Sequence, residues 1–216
     1  MTQIIMQPKI AVVDYGMGNL RSVSKALEAV GADVLVSDSK QRIADCDAIV
    51  LPGVGSFKPA ADYLKKKGLF NFLKKQIAGG KHFLGLCLGF QLLFDKSSEE
   101  GSHAGLEVVP GEVLRFNLKP PFKIPHMGWN TLSVSKNAAE TMFSGIPASS
   151  YFYFVHSYYG IPKDKSFSGS TTAYGIKFCS SICKDNVWAC QFHPEKSSKY
   201  GLKLLGNFTR EVKKCL

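Results

Sequence analysis

Short apolar runs recur along the first half of this chain and mark candidate strands. They lie at residues 9–16, 33–37, 47–55 and 81–86, and each is dominated by Val, Ile, Leu, Ala or Phe. Runs of this length with little alternation are typical of strands that are buried on both faces. The pattern predicts four strands of a largely parallel sheet.

The segments between these runs have the period of amphipathic helices. In residues 18–31 apolar side chains recur every three or four positions and the segment stops at Gly31. A lysine-rich helix is predicted over residues 59–79, and a helix is predicted from Cys87 to about Phe94. Strands that alternate with helices in this way predict an α/β fold with helices on both faces of a mostly parallel sheet.

The second half of the chain is less regular. Pro120, Pro121 and Pro125 argue against a long helix in residues 96–150, so we predict loops and an edge strand there. Residues 151–160 predict a strand that carries His156, and residues 177–192 predict two strands about an Asp-Asn turn. A last helix is predicted after residue 198. With no linker or repeat in the chain, we expect a single domain over residues 1–216.

Composition narrows the class of protein. Hydrophobic residues make up 45% of the chain and charged residues 20%, as in globular proteins. The longest uncharged apolar run, residues 83–94, falls short of the roughly 20 residues that span a bilayer. The N-terminus lacks the pattern of a signal peptide, so we expect a cytoplasmic protein that does not enter a membrane.

The net charge and the cysteines bear on possible partners and metal sites of the protein. The net charge of +10 could indicate nucleic-acid binding, but the lysine cluster at residues 65–75 fits a solvated helix face or an acidic protein partner equally well. No aromatic-basic signature of an RNA-binding sheet accompanies it. The six cysteines lack the paired spacing of a zinc module, and the chain is too large to need disulfide bonds for stability, so we predict reduced thiols and no metal site. We also expect no cofactor.

One motif carries candidate nucleophilic chemistry. Gly85, Cys87 and Gly89 form a G-x-C-x-G sequence where a predicted strand meets a predicted helix, which is the nucleophile-elbow pattern with cysteine in place of serine. Flanking glycines allow the strained turn that such a residue needs, and a helix N-terminus favours a thiolate. The alternative is an inert core cysteine, because Phe, Leu and Gly surround Cys87.

A thiolate nucleophile needs a histidine partner and a group that orients the imidazole ring. His193 follows the apolar run VWACQF and is separated from Glu195 by one proline. In extended backbone, which Pro194 favours, residues i and i+2 share a face, so the Glu195 carboxylate could hold His193. A loop histidine before a proline turn is the alternative. The glycine-rich turn PGVG at 52–55 lies where open α/β sheets bind ligands.

Four motifs in this order, PGVG, GLCLGFQLL, YFVHS and QFHPEKS, resemble those of the class I (triad) glutamine amidotransferases. PHMGWN, YFYFVHSY and QFHPEKSS are similar, more narrowly, to the glutaminase subunits that supply ammonia to a barrel synthase in histidine biosynthesis. The resemblance covers residues 9 to 210. It implies a flavodoxin-like fold, glutaminase activity and L-glutamine as the substrate.

The resemblance also implies roles for individual residues. Cys87 would be the nucleophile, His193 the proton carrier and Glu195 the group that orients His193. Similar subunits are nearly silent alone, because the PGVG strand must first turn an N–H group inward. The remaining implied positions are the oxyanion donors Val54 and Leu88, the glutamine pocket Gly53, Gln91, His156, Ser157 and Tyr158, and the partner-facing aromatics Trp129 and Tyr153.

The implied partner is a (β/α)8-barrel subunit that forms a heterodimer with this chain and receives the ammonia. Three alternatives remain at this level. The same glutaminase could serve a paralogous barrel that amidates a surface sugar, or the chain could be an elbow hydrolase of another ester or amide. It could also be a non-catalytic basic binding protein, against which the presence of Cys87, His193 and Glu195 argues.

Overall fold

The computed structural model describes residues 7–215 of the chain, with fourteen strands in three sheets among them. The observed strands match the four predicted in the first half and the two predicted about the Asp-Asn turn. The strands are β1 (Lys9–Val13), β2 (Asp33–Ser37), β3 (Ala48–Leu51), β4 (His82–Leu86), β5 (Phe94–Ser97), β6 (His103–Ala104), β7 (Val109–Arg115), β8 (His126–Thr131), β9 (Ser133–Val134), β10 (Tyr151–His156), β11 (Tyr158–Pro162), β12 (Ser168–Tyr174), β13 (Ile176–Lys184) and β14 (Val187–Cys190).

Seven α-helices and two short 3₁₀ helices connect the strands in the described part of the chain. The α-helices are α1 (Leu20–Ala29), α2 (Lys40–Ala44), α3 (Phe57–Lys66), α4 (Leu69–Ala78), α5 (Leu88–Gln91), α6 (Lys136–Glu140) and α7 (Ser198–Lys213), and the 3₁₀ helices span Lys165–Phe167 and Pro194–Lys196.

The largest sheet has eight strands in the order β2-β1-β3-β4-β14-β13-β12-β9. The first five are parallel to one another, and the last three extend the sheet in antiparallel fashion. The α/β fold with a mostly parallel central sheet is therefore confirmed. A four-stranded sheet, β11-β7-β5-β6, and a two-stranded ribbon of β8 and β10 complete the described structure.

Both faces of the central sheet are buried. Along β1, Ala11 and Val13 pack into one core with α2, α3 and α4, whereas Ile10 and Val12 pack into a second core with α1 and α7. Because successive side chains of a strand point to opposite faces, a strand covered on both sides must be apolar throughout. This explains the unbroken apolar runs in the sequence.

Two predicted helices differ from the structure. The helix after Cys87 does not reach Phe94; α5 ends at Gln91, because the carbonyls of Leu92 and Leu93 accept hydrogen bonds from a later loop, at Leu106 and Val108, rather than from a continuing helix. The predicted helix over 59–79 is two helices. Gly68, whose φ of 66° is left-handed, separates α3 from α4.

In residues 7–215, no helix is both long and apolar enough to cross a membrane. Over the same range, no group of three or more His, Cys, Asp and Glu side chains is arranged to hold a metal ion. The six cysteines are free thiols, and only Cys215 is exposed.

Candidate active site

Three loops meet at one edge of the central sheet, at the carboxyl ends of neighbouring strands. The PGVG turn follows β3, Cys87 follows β4, and the segment that ends in His193 follows β14. β4 lies between the other two, with Leu51 of β3 opposite Gly85 and Cys190 of β14 opposite Leu86. Open α/β sheets bind their ligands at this edge, and the sheet order thus brings together three of the four motifs.

Cys87 occupies the tight turn between β4 and α5. Its φ of 53° and ψ of −101° lie outside the regions that non-glycine residues normally adopt. The flanking glycines are required by close backbone approach. A Cβ at Gly85 would lie 2.7 Å from the Gly89 carbonyl oxygen, and one at Gly89 would collide with the carbonyl oxygen of Leu51. The predicted elbow is confirmed as a strained, buried turn.

The α5 helix adds less to this turn than the sequence suggests. It consists of the four residues Leu88–Gln91, so only a few aligned peptides contribute a dipole at Cys87. Cys87 does lie at the N-terminus of a helix, as predicted, but the helix is shorter than predicted. The groups that remain close to the sulfur are a neighbouring histidine and an amide side chain.

His193 and Glu195 form the predicted contact. His193 Nδ1 lies 2.8 Å from Glu195 Oε1, and both side chains are almost completely buried. The backbone reason given by the sequence is wrong, however. Residues 194–196 form a 3₁₀ turn, not extended chain, and the carboxylate reaches Nδ1 of the imidazole ring from this turn.

The charge environment of His193 favours its protonated form. Burial alone lowers the pKa of His193, but the nearby Cys87 and Glu195 raise it above its ordinary value. Its other ring nitrogen, Nε2, is buried and has no hydrogen-bond partner among the described residues. His193 can therefore hold a proton on the nitrogen that Glu195 does not engage, at the cavity that Cys87 also lines.

A cavity of about 340 Å³ opens beside these side chains. A volume of this order accommodates a small polar metabolite. The predicted pocket residue Gly53 is not in its wall; it lies behind the wall, where a Cβ would collide with the Tyr15 hydroxyl. The lining residues include the predicted Cys87, His193, Val54, Leu88, Gln91, His156, Ser157 and Tyr158, together with Gly55, Glu99, Pro125 and Val155.

In the PGVG loop, the carbonyl group of Gly53 faces the elbow. The backbone N–H of Leu88 donates to the Gly53 carbonyl oxygen at 3.4 Å, so this predicted oxyanion donor already has a partner. The hydroxyl of the buried Tyr15 donates to the carbonyl of Pro52 at 2.8 Å. Burial, followed by the proximity of Cys87, raises the pKa of Tyr15, which keeps it a donor. These two bonds hold the loop in its present orientation.

Glu99 lines the cavity from the loop after β5 and was not among the predicted site residues. Its Oε2 accepts the backbone N–H of Phe57 at 2.7 Å, and its side chain is half-buried. A carboxylate in a cavity that otherwise holds neutral groups and a histidine is suited to an ammonium group. No local signal marks this residue, because a residue 42 positions away in the chain fixes its place.

The rings of His126 and His156 pair beneath the ribbon. His126 Nδ1 lies 3.1 Å from His156 Nε2, and His156 Nδ1 donates to the Tyr158 carbonyl at 2.8 Å. Asn130 Nδ2 lies 3.3 Å from His126 Nε2. Burial lowers the pKa of His126 to about 4 and that of His156 to about 3. His156 reaches the cavity, but its ring is tied into this neutral network.

The outer face of the ribbon is apolar and exposed. The side chains of Met127 and Trp129 are 65% and 50% exposed, and Tyr151 is exposed beside them. Tyr153 is half-buried and meets Trp129 edge to face, with ring centroids 5.9 Å apart. The Lys196 Nζ lies 5.9 Å from the centroid of the Tyr153 ring. The predicted partner-facing aromatics thus adjoin the segment that carries His193.

Comparison with known proteins identifies the class. The family model for class-I glutamine amidotransferases matches residues 11–212. The fold is also that of PurLQS from Thermotoga maritima, with a TM-score of 0.70 at 20% identity over 97% of this chain and 99% of that one. A glutamine amidotransferase from the same organism gives a TM-score of 0.68 at 13% identity, again with 97% and 99% covered. This chain belongs to the class-I glutamine amidotransferase family.

More similar relatives include several that are named imidazole glycerol phosphate synthase subunit HisH. The protein from Gloeothece citriformis is 51% identical over 205 residues, which are 94% of this chain and 96% of that relative. Those from a Synechocystis species and from Aquifex aeolicus are 52% and 50% identical, over 94% and 95% of this chain and 96% and 98% of the relatives. Similarity therefore extends over nearly the full length of each chain.

Proposed function

We propose that this chain is the glutaminase subunit of an imidazole glycerol phosphate synthase. It would hydrolyse L-glutamine to glutamate and ammonia and pass the ammonia to a (β/α)8-barrel subunit in histidine biosynthesis. The observation that carries the proposal is that Cys87 and His193 line one cavity and that the buried Glu195 contacts His193 at 2.8 Å. The names of the similar relatives support the particular pathway.

The chemistry follows from the positions of these three groups. The Cys87 sulfur attacks the side-chain amide carbon of glutamine and forms a C–S bond. As the C–N bond breaks, His193 delivers a proton to the departing nitrogen, which leaves as ammonia and gives a γ-glutamyl thioester. His193 then takes a proton from water, whose oxygen attacks the thioester and releases glutamate. Glu195 holds His193 in the tautomer and orientation that these transfers need.

The cavity offers groups for both ends of the substrate. Gln91 and the backbone of Ser157 and Tyr158 line it at one side, where they can bind the substrate's polar main-chain atoms. Glu99 adds a carboxylate for the α-ammonium group. With its ends held, the side-chain amide of glutamine would reach the Cys87 sulfur, which is how positioning lowers the barrier.

The oxyanion hole is incomplete in this conformation, which supports control by a partner. The Leu88 N–H is bonded to the Gly53 carbonyl. The peptide between Gly53 and Val54 must turn to free that donor and to aim the Val54 N–H at the oxyanion. Absence of one such donor typically costs about 10²–10³-fold in rate. We therefore propose that the barrel subunit, with its ligand, promotes the turn.

The partner surface that we propose includes the exposed apolar face of the ribbon. Trp129 and Tyr153 would meet the barrel subunit, which would make imidazole glycerol phosphate and aminoimidazole carboxamide ribotide from the ammonia. An acidic rim on that subunit would complement the net charge of +10. The chain itself would act as a single domain over residues 1–216.

The test measures glutamate release by the full chain mixed with a histidine-pathway barrel synthase and its ribotide substrate. Wild type should be active only with the partner, and Cys87→Ala should be silent. Cys215→Ala is the matched control, because Cys215 is exposed and lies outside the cavity. Activity in Cys87→Ala would refute the nucleophile. Silence of wild type with this partner, but activity with a sugar-amidating barrel, would refute the pathway.

A further inference from the structure

A chain of buried amides connects the cavity to the Cys87 sulfur and includes a residue outside the catalytic three. Gln191 follows β14, and its side chain is completely buried. Its Oε1 accepts from Gln91 Nε2 at 3.1 Å, and its own Nε2 donates to Cys87 Sγ at 3.8 Å. Burying a primary amide is costly unless its groups are bonded, so both of these contacts matter to its placement.

The direction of this chain is fixed by a backbone carbonyl. The Tyr158 carbonyl can only accept, so the group of Gln91 that lies 3.1 Å from it must be the NH₂ group. The second N–H of Gln91 then points at Gln191, which must accept this hydrogen bond through its side-chain oxygen. The NH₂ group of Gln191 therefore faces the sulfur. Reversing either amide would set donor against donor or acceptor against acceptor.

We infer that Gln191 is a positioning residue for the nucleophile, aiming the Cys87 sulfur and favouring its thiolate through a donated N–H. An N–H donor stabilises a negatively charged acceptor more than a neutral one. The contact is 3.8 Å long, and a charged sulfur would draw the N–H group closer, because hydrogen bonds to ionised acceptors are shorter. Because Gln91 lines the cavity, the same chain couples the occupant of the cavity to the nucleophile. The inference rests on the proposed role of Cys87.

The first test uses Gln191→Glu and Gln191→Met. Glutamate keeps the shape and the acceptor toward Gln91 but lacks the N–H at the sulfur, whereas methionine keeps only the length. The readout is the rate of Cys87 alkylation by iodoacetamide against pH, resolved by peptide mass spectrometry. We expect the alkylation rate of both variants to be roughly 3- to 10-fold lower at neutral pH. The increase of this rate with pH should occur about 0.5–1 pH unit higher than in wild type. The exposed Cys215 should keep its profile and serves as an internal reference.

The matched control removes a buried amide elsewhere. Asn207 is buried in α7, and its Nδ2 donates to the carbonyls of Met142 and Ser144, away from the sulfur. Asn207→Asp should cost stability in the same manner but leave the Cys87 alkylation profile unchanged. In the complex with the barrel subunit, the Gln191 variants should lower kcat about 10-fold, with a smaller change in KM for glutamine.

The outcomes separate this inference from the proposed function. If the Gln191 variants fold, bind the partner and alkylate with the wild-type pH profile, Gln191 is structural and the inference is wrong. Should Gln191→Met fail to fold, the isosteric Gln191→Glu decides the question. Glutaminase activity in Cys87→Ala would overturn the proposed function instead. A silent Cys87→Ala with unshifted Gln191 variants overturns only the positioning role.

Discussion

Two buried histidine sites lie in this molecule at almost the same degree of exposure, and their electrostatics are opposite. His193 is 3% exposed, and His126 and His156 are 3% and 6% exposed. The pKa of His193 is raised, whereas the pKa values of His126 and His156 are lowered to about 4 and about 3. Burial alone therefore does not decide the protonation state of a histidine in this fold.

The groups around each ring decide the protonation state of these histidines. Glu195 lies 2.8 Å from His193, and Cys87 adds a second group that favours the cation. His126 instead stacks between Phe154 and Tyr174, with the second histidine and Asn130 as its polar contacts. Without a carboxylate to offset desolvation, the neutral ring is favoured. One site favours a protonated ring, and the other favours a neutral ring that donates to the Tyr158 carbonyl.

The largest expected effect comes from erasing this difference at His193. Glu195→Gln keeps the shape of the side chain but removes the charge, so desolvation should dominate and His193 should become neutral like His156. The wrong tautomer would also be favoured, since an amide N–H can donate to Nδ1. We expect kcat for partner-stimulated glutamate release to fall by about 10³–10⁴-fold.

The background rate of glutamate release is measured with Cys87→Ala in the same complex. Titration of the ring by NMR should show the pKa of His193 lowered in Glu195→Gln, while the rings of His126 and His156 titrate as in wild type. A variant that retains more than about a tenth of wild-type kcat would show that the carboxylate is not what distinguishes the two sites.

The second effect is a loss of stability at acidic pH, which arises from the neutral histidines His126 and His156. The folded pKa values of about 4 and about 3 lie below the ordinary 6.5, so the unfolded chain binds more protons between these limits. The contribution of these two rings to stability is therefore fully present above about pH 6.5 and is lost as the pH falls toward the folded values. At about pH 5 each ring should lower the free energy of unfolding by about 2 kcal/mol.

Urea unfolding at about pH 7.5 and about pH 5 measures this loss. The double variant His126→Phe/His156→Phe should lose much less stability on acidification, whatever its stability at the higher pH. His103→Gln is the control, because His103 is half-buried and lies outside the network. His193 has the opposite sign: its raised pKa makes stability decline as the pH rises above 6.5. If the double variant loses as much unfolding free energy on acidification as wild type does, the loss arises from other groups.

Local sequence was sufficient to predict the tight turn at Cys87. Cys87 with glycines two positions away predicted a strained elbow, and the structure shows why both glycines are needed. A Cβ at Gly85 would meet the backbone of α5, and a Cβ at Gly89 would meet the backbone of β3. The unbroken apolar runs predicted a sheet buried on both faces. In these cases the determinants lie within a few residues of the feature, so the pattern alone carries the information.

Features that depend on distant parts of the chain were not predicted. Gln191 meets Gln91 across 100 positions, and His126 meets His156 across 30. Glu99 is positioned by the start of α3. Even the His193–Glu195 contact was predicted from an extended backbone, whereas the following α7 and the 3₁₀ turn set it. Pairing of β14 with β4 and of β8 with β10 brings the first two pairs together, and no local pattern encodes that pairing.

The smallest expected effect moves the neutral site toward the charged one. Asn130 Nδ2 lies 3.3 Å from His126 Nε2, so Asn130→Asp would place a carboxylate where His193 has Glu195. The pKa of His126 should rise by about 1–3 units, as expected for an opposite charge at this distance. Acidification from about pH 7.5 to about pH 5 should then cost about 1–2 kcal/mol less than in wild type.

Asn130→Asp also lowers stability by itself, so it is compared with a variant that has the same loss but no added charge. Asn130 Nδ2 also donates to the Ala173 carbonyl at 3.0 Å, and a carboxylate cannot, so Asn130→Asp should be less stable than wild type near neutral pH by about 1–3 kcal/mol. Asn130→Ala loses the same bond without adding a charge. If both variants show the same difference in unfolding free energy between the two pH values, a nearby carboxylate is not enough to convert one site into the other. A smaller acid loss in the aspartate variant alone would show that one charge separates a structural histidine from a proton-carrying one.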